Sequence, residues 1–130
     1  MPNMMEMTGG EIAAAMETMA VAQQNDQFRT NILRGGPAGT PRGKVLFTSA
    51  VDAMGPVFGM AAARAVAADA DFTEDNDPHG ERSFGTVTVE GETLFWKIDL
   101  YDEAYEWASP DPANKRVTRR VLTIMFPSDY

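Results

Sequence analysis

Phe84-Gly85-Thr86-Val87-Thr88-Val89-Glu90-Gly91-Glu92-Thr93-Leu94-Phe95-Trp96-Lys97-Ile98-Asp99-Leu100-Tyr101 is the stretch whose reading decides the fold. Thr86 to Val89 has strand composition. In the second run Leu94, Trp96, Ile98 and Leu100 share one face, while Phe95, Lys97, Asp99 and Tyr101 share the other. Period-two alternation of this kind marks a half-buried strand, because successive side chains of a strand point to opposite faces. Glu90-Gly91 is a short turn between the two runs, so they are expected to form an antiparallel hairpin.

Outward from the hairpin, Arg119 to Phe126 reads as a last strand, rich in Val, Leu, Thr and Ile. Upstream, Lys44 to Thr48 reads as a buried strand and Ser49 to Met54 as one helical turn. Gly55-Pro56 opens a helix that runs through alanines to Ala68, with proline suited to the first helical position. Thr8-Gly9-Gly10-Glu11 is a capping box, in which the threonine oxygen accepts from the Glu11 amide and the Glu11 side chain reaches back. Ile12, Met16, Met19 and Gln23 follow at helical spacing and continue to Phe28 and Ile32. Such a stripe is read as core, with a methionine-rich partner surface as the sharper reading. Arg34-Gly35-Gly36 is a stop, and residues 35 to 43, with Pro37 and Pro41, form a loop. Asp102 to Ala108 is read as a helical turn closed by Ser109-Pro110-Asp111-Pro112. Trp96 and Trp107 are expected in core or satellite packing. The expected fold is α+β, with two helices packed on one face of a three- to four-stranded, mainly antiparallel sheet. Residues 1 to 24 are assigned to a tail and the start of the first helix, and residues 25 to 130 to one domain.

The 130 residues fit one domain, and 44% are apolar, the ordinary globular proportion. The chain has no cysteine, which removes disulfides, thiolate metal sites and thiol nucleophiles, and fits a reducing compartment. No apolar run approaches a membrane span, and Met1 to Met7 carries no basic residue ahead of its apolar part, unlike a secretory signal. The expectation is a cytoplasmic protein that does not enter membranes.

Formal net charge is −8, and it is concentrated. From Asp69 to Asp111 there are 13 acids against Arg82 and Lys97, a local balance of −11. Lys115, Arg116, Arg119 and Arg120 follow as a short basic run, of which Arg116, Arg119 and Arg120 are expected to pair with the acidic stretch and neutralise part of that field. Direct binding to phosphate backbones needs positive footprints, so it is disfavoured, whereas a basic protein surface is a fitting partner.

Two readings compete for the acids. In the first they are a partner-binding surface that copies phosphate spacing and occupies a basic groove. Its residues are Asp69, Asp71, Glu74, Asp75 and Asp77 before the hairpin, with Asp102, Glu103 and Glu106 after it. In the second, Asp75, Asp77, Glu81 and Asp99 form a carboxylate-only metal site for hydrolysis. A calcium loop fits poorly. Asp75, Asp77, His79 and Gly80 resemble its start, but Thr86 occupies the position that needs a bidentate glutamate. The same Asp, Asn and Pro-x-Gly residues serve simply to cap and turn the chain. His79 is the single histidine, and no Gly-x-Ser-x-Gly elbow is present. No catalytic residue and no cofactor are therefore assigned. A homodimer through an edge strand or the first helix is compatible with the pattern.

The strings Phe72-Thr73-Glu74-Asp75-Asn76-Asp77-Pro78-His79-Gly80-Glu81, Phe95-Trp96-Lys97-Ile98-Asp99, Ser109-Pro110-Asp111-Pro112 and Arg120-Val121-Leu122-Thr123-Ile124-Met125 occur in this order. In this the chain resembles a bacterial family catalogued as domain of unknown function 3768. The resemblance runs from about Asn25 to Tyr130. It is weaker at Asn25-Asp26, Arg29-Thr30 and Val45 to Met54. The family usually continues its Asn-Asp-Pro-x-Gly-Glu motif with His-Asp-Phe, where this chain has Arg82-Ser83-Phe84. A ligand or acid/base role for that His-Asp pair therefore does not carry over. The resemblance implies no established activity. It implies cargo of plasmids, phages and integrated elements, found near anti-restriction genes. From that context follows the expectation of an interaction protein that counters a host defence or another nucleic-acid-handling protein.

Overall fold

The computed structural model describes residues 7–130; the proposed tail before Met7, with Met4 and Met5, lies outside them. The order is α1 (Gly9–Thr30), β1 (Gly43–Phe47), α2 (Ser49–Asp52), α3 (Pro56–Ala68), β2 (Phe84–Val89), β3 (Glu92–Tyr101) and β4 (Arg119–Met125), then a 3-10 turn at Pro127–Asp129. The four strands form one sheet in the order β1-β4-β3-β2. β2–β3 and β3–β4 pair antiparallel, whereas β1 runs parallel to β4. This is the α+β architecture that the alternation implies.

The hairpin forms as its residues dictate. Val89 pairs with Glu92 across a two-residue loop in which Glu90 (φ 52°) and Gly91 (φ 79°) are both left-handed. That is the primed turn whose twist matches the flanking strands. Leu94, Trp96 and Ile98 point to the helix-covered face and are buried. On β4, Val121, Leu122, Ile124 and Met125 are all buried, so this central strand is covered on both faces. Phe58, Ala62 and Val66 of α3 complete the main core with Phe28 and Val51. The alanines let α3 lie close to the sheet.

Several expectations need correction. The α1 cap forms, with Thr8 Oγ1 accepting from the Glu11 amide at 3.1 Å. However, only Val21, Asn25, Phe28 and Arg29 of the helix are buried. Ile12, Met16 and Met19 are 40%, 65% and 70% exposed and are not core. Helical period specifies a face, but not what stands opposite it. β1 is an edge strand with Leu46 exposed, because it pairs with β4 alone. Trp96 is fully buried, but Trp107 is 74% exposed. Asp102 to Ala108 is a series of turns rather than helix, since Tyr105 is left-handed (φ 59°) and breaks the helical path.

Arg120 is also corrected. It does not pair with the acidic stretch but is fully buried beneath α1. Its Nε donates to Asn25 Oδ1 at 2.8 Å and its Nη2 to Gln24 Oε1 at 3.3 Å. Burial without a carboxylate brings its pKa down to about 10.

Candidate functional site

The acidic loop begins where α3 ends. The last carbonyls of a helix lack intrahelical partners, and here Arg29 collects them. Its Nη1 donates to Val66 O at 2.8 Å, Ala67 O at 3.3 Å and Asp69 O at 2.7 Å. The guanidinium also lies over Phe72 (5.3 Å) and Trp96 (5.1 Å). This places a positive group at the negative end of the helix dipole.

Asp69 then anchors the loop to the sheet. Its Oδ2 accepts from the buried Trp96 Nε1 at 2.9 Å, and its Oδ1 accepts from the Asp71 amide at 3.1 Å. Asn76 closes the turn internally, accepting from the Thr73 amide at 2.7 Å and donating to Asp71 O at 2.8 Å. The Asp77 carboxylate accepts from the Arg82 amide at 3.1 and 3.3 Å, which holds Arg82 in a left-handed conformation (φ 53°). At the far end Asn25 Nδ2 donates to Glu81 O at 2.9 Å, and Arg82 pairs with Asp26 at 2.6 Å. The loop is therefore fastened at both ends to α1 and in the middle to itself.

These bonds divide the expected partner-binding residues. Asp69 and Asp77 are half-buried and spend their carboxylates on the chain itself. Asp71, Glu74 and Asp75 are exposed, and none lies within 4.0 Å of a basic group among the described residues. In the second cluster Asp102 Oδ1 accepts from the Glu106 amide at 3.0 Å and is structural. Glu103 and Glu106 are exposed, with Glu103 4.0 Å from Arg119. No hydrogen bond or ion pair joins the two clusters among the described residues. Their anchor points, Trp96 and Tyr101, lie five residues apart on β3, roughly 17 Å of strand.

The carboxylates of the metal reading do not converge. Asp77 is bound to the Arg82 amide, and Asp99 pairs with Lys97 at 2.7 Å on the sheet face away from the helices. Among the described residues no group of three or more His, Cys, Asp or Glu side chains is placed to hold a metal ion. His79 is exposed in its turn. No helix among the described residues is long and apolar enough to cross a membrane.

Residues 47–129 match the family model described as Protein of unknown function (DUF3768). The chain belongs to this family. The matched span holds the acidic loop, the hairpin, β4 and α3, but α1 and almost all of β1 precede it. The weaker likeness at Asn25-Asp26 and Arg29-Thr30 thus lies outside the match, although those are the α1 positions that fasten the loop. No curated protein and no solved structure matches the chain.

Sequence reasoning missed Arg29 and Asn25 as the organisers of this site. Their spacing of four, with Phe28 between, was the available sign that polar groups share the buried face of α1. It also missed a convergence of basic side chains from the 35–43 loop, β1 and residues 115–119.

Proposed function

We propose that this protein is a non-catalytic binding protein, acting through its acidic surface on a partner with a basic groove, such as one that holds nucleic acid. One observation carries this reading. Asp71, Glu74 and Asp75 are exposed and unpaired among the described residues, yet they stand on a loop whose backbone Asp69, Asn76 and Asp77 fasten. Fixed carboxylates lose little freedom on binding, so their attraction to a basic partner is not offset by ordering the loop. Glu103 and Glu106 are a secondary contact, and Asp69, Asp77 and Asp102 support the surface from within. The mobile-element setting that the resemblance implies makes inhibition of a host defence protein the role we propose.

The test is competition. A partner complexed with labelled nucleic acid is titrated with the protein, and release is followed by fluorescence anisotropy. Release by the native chain and none by D71K/E74K/D75K supports the mimic. Formation of a ternary complex with the nucleic acid still bound rejects it.

A further inference from the structure

The chain is strongly acidic, yet one end of the molecule is not. Where the 35–43 loop meets β1, a cleft of about 710 Å³ opens beside a second of about 350 Å³; Thr40, Arg42 and Arg119 line both. Arg42, Lys44, Lys115, Arg116 and Arg119 line one or both clefts, and no Asp or Glu lines either. Five of the chain's 11 basic residues are therefore gathered here.

These cations have little carboxylate company among the described residues. Among the described residues Arg42, Lys44, Lys115 and Arg116 have no carboxylate within 4.0 Å, and Arg119 has only Glu103 at that limit. Lys115 Nζ donates to Gly39 O at 2.6 Å, which ties the loop to the basic run. Lys44 Nζ stands 4.2 Å from the centroid of the Tyr105 ring, on a residue held left-handed. Concentrating like charge in a concave site is unfavourable unless an anion completes it. The larger cleft has the size of a small-molecule site, roughly 300–1,000 Å³, and Phe28, Ile32 and Val45 give it apolar walls.

We propose that these two adjoining clefts together bind a small phosphorylated ligand with a flat apolar portion, the chemistry of a nucleoside phosphate. Arg42, Arg116 and Arg119 take the phosphates through charge-assisted hydrogen bonds. The apolar walls and the Tyr105 edge take the flat portion. A long polyanion is the poorer fit, because the −11 stretch of the same small chain repels whatever extends beyond the cleft. Arg42 and Lys44 lie before the family-matched span, whereas Lys115, Arg116 and Arg119 lie within it. The site is thus assembled partly from residues outside that span. It is separate from the acidic loop and does not depend on the function proposed for that loop.

The experiment is calorimetry of the whole chain at low salt with ADP, with pyrophosphate and with a short single-stranded oligonucleotide. ADP should bind, with an affinity that falls as salt rises. R42A/R116A should weaken ADP at least roughly tenfold, and R42K/R116K should weaken it less. Neither arginine side chain makes a hydrogen bond among the described residues, so both variants should melt with the native chain. R64A, on the exposed side of α3, should bind ADP as the native chain does. Binding of pyrophosphate alone also supports the phosphate anchor. Absence of binding by both ADP and pyrophosphate overturns the proposal. So does ADP binding undiminished in R42A/R116A, or binding of the oligonucleotide alone.

Discussion

Replacement of Asp69 by alanine should unsettle the fold, although a sequence reading places Asp69 on the partner surface. Among the described residues its carboxylate is the sole acceptor for the indole N–H of Trp96, a fully buried side chain. Removing the acceptor strands a buried donor, which costs about 1–3 kcal/mol. Loss of the bond from the Asp71 amide adds up to about 1 kcal/mol, less whatever water restores. The sum is about 1–4 kcal/mol. Asp69→Asn keeps an acceptor oxygen but not the charge, and neutral bonds have about half the strength of charge-assisted ones. It should cost about 1 kcal/mol. Asp71→Ala removes only an exposed carboxylate and should stay within about 0.5 kcal/mol. Urea unfolding at neutral pH, followed by tryptophan fluorescence, resolves these. With a slope of about 2 kcal/mol/M, Asp69→Ala should lower the midpoint by about 0.5–2 M at unchanged slope. If Asp69→Ala and Asp71→Ala unfold together, the indole bond does not anchor the loop.

Three further outcomes follow from named contacts. Arg29→Ala should destabilise by about 3 kcal/mol or more, since it removes a buried cation packed on two aromatic rings and takes the guanidinium donor from the carbonyls of Val66 and Asp69, of which Val66 keeps only the Asp69 amide at 3.2 Å; thermal melting should show a large drop, and an unchanged melting temperature refutes the capping role. Gly91→Ala forces a side chain into a left-handed turn (φ 79°) and should cost about 1–2 kcal/mol by urea titration, with the strand pairing retained. The hydrogen bond from Lys97 to Asp99 raises the Lys97 pKa above its ordinary value of 10.5. That contribution is fully present below pH 10.5 and is lost as pH rises through the higher folded value. Both groups are about 40% exposed, so Lys97→Ala at pH 7 should lie within about 1 kcal/mol, and an NMR titration of Lys97 should show the upward shift.

The parts of the fold written in short-range pattern were legible. Alternation in Leu94, Trp96 and Ile98 gave the inner face of β3, Glu90-Gly91 gave the turn, and Thr8-x-x-Glu11 and Gly55-Pro56 gave the helix starts. What depends on distant partners was not. The stripe Ile12, Met16, Met19 has the period of a core face, but it is exposed among the described residues. Trp107 is as apolar as Trp96, but it follows a left-handed Tyr105 that turns the chain outward. Local composition likewise could not separate structural from free acids. Asp69 and Asp71 read alike until Trp96, 27 residues away, claims one of them. The basic cleft was hidden for the same reason, as Arg42 and Lys44 meet Arg116 and Arg119 only because β1 lies parallel to β4.

The most direct test of the acidic-surface account is a tagged pulldown from the native host's extract, comparing the native chain with D71K/E74K/D75K at low and then high salt. The account predicts one nucleic-acid-handling protein retained by the native chain at low salt, released at high salt and absent from the variant. A partner held equally by both chains, or no retained protein at all, contradicts it.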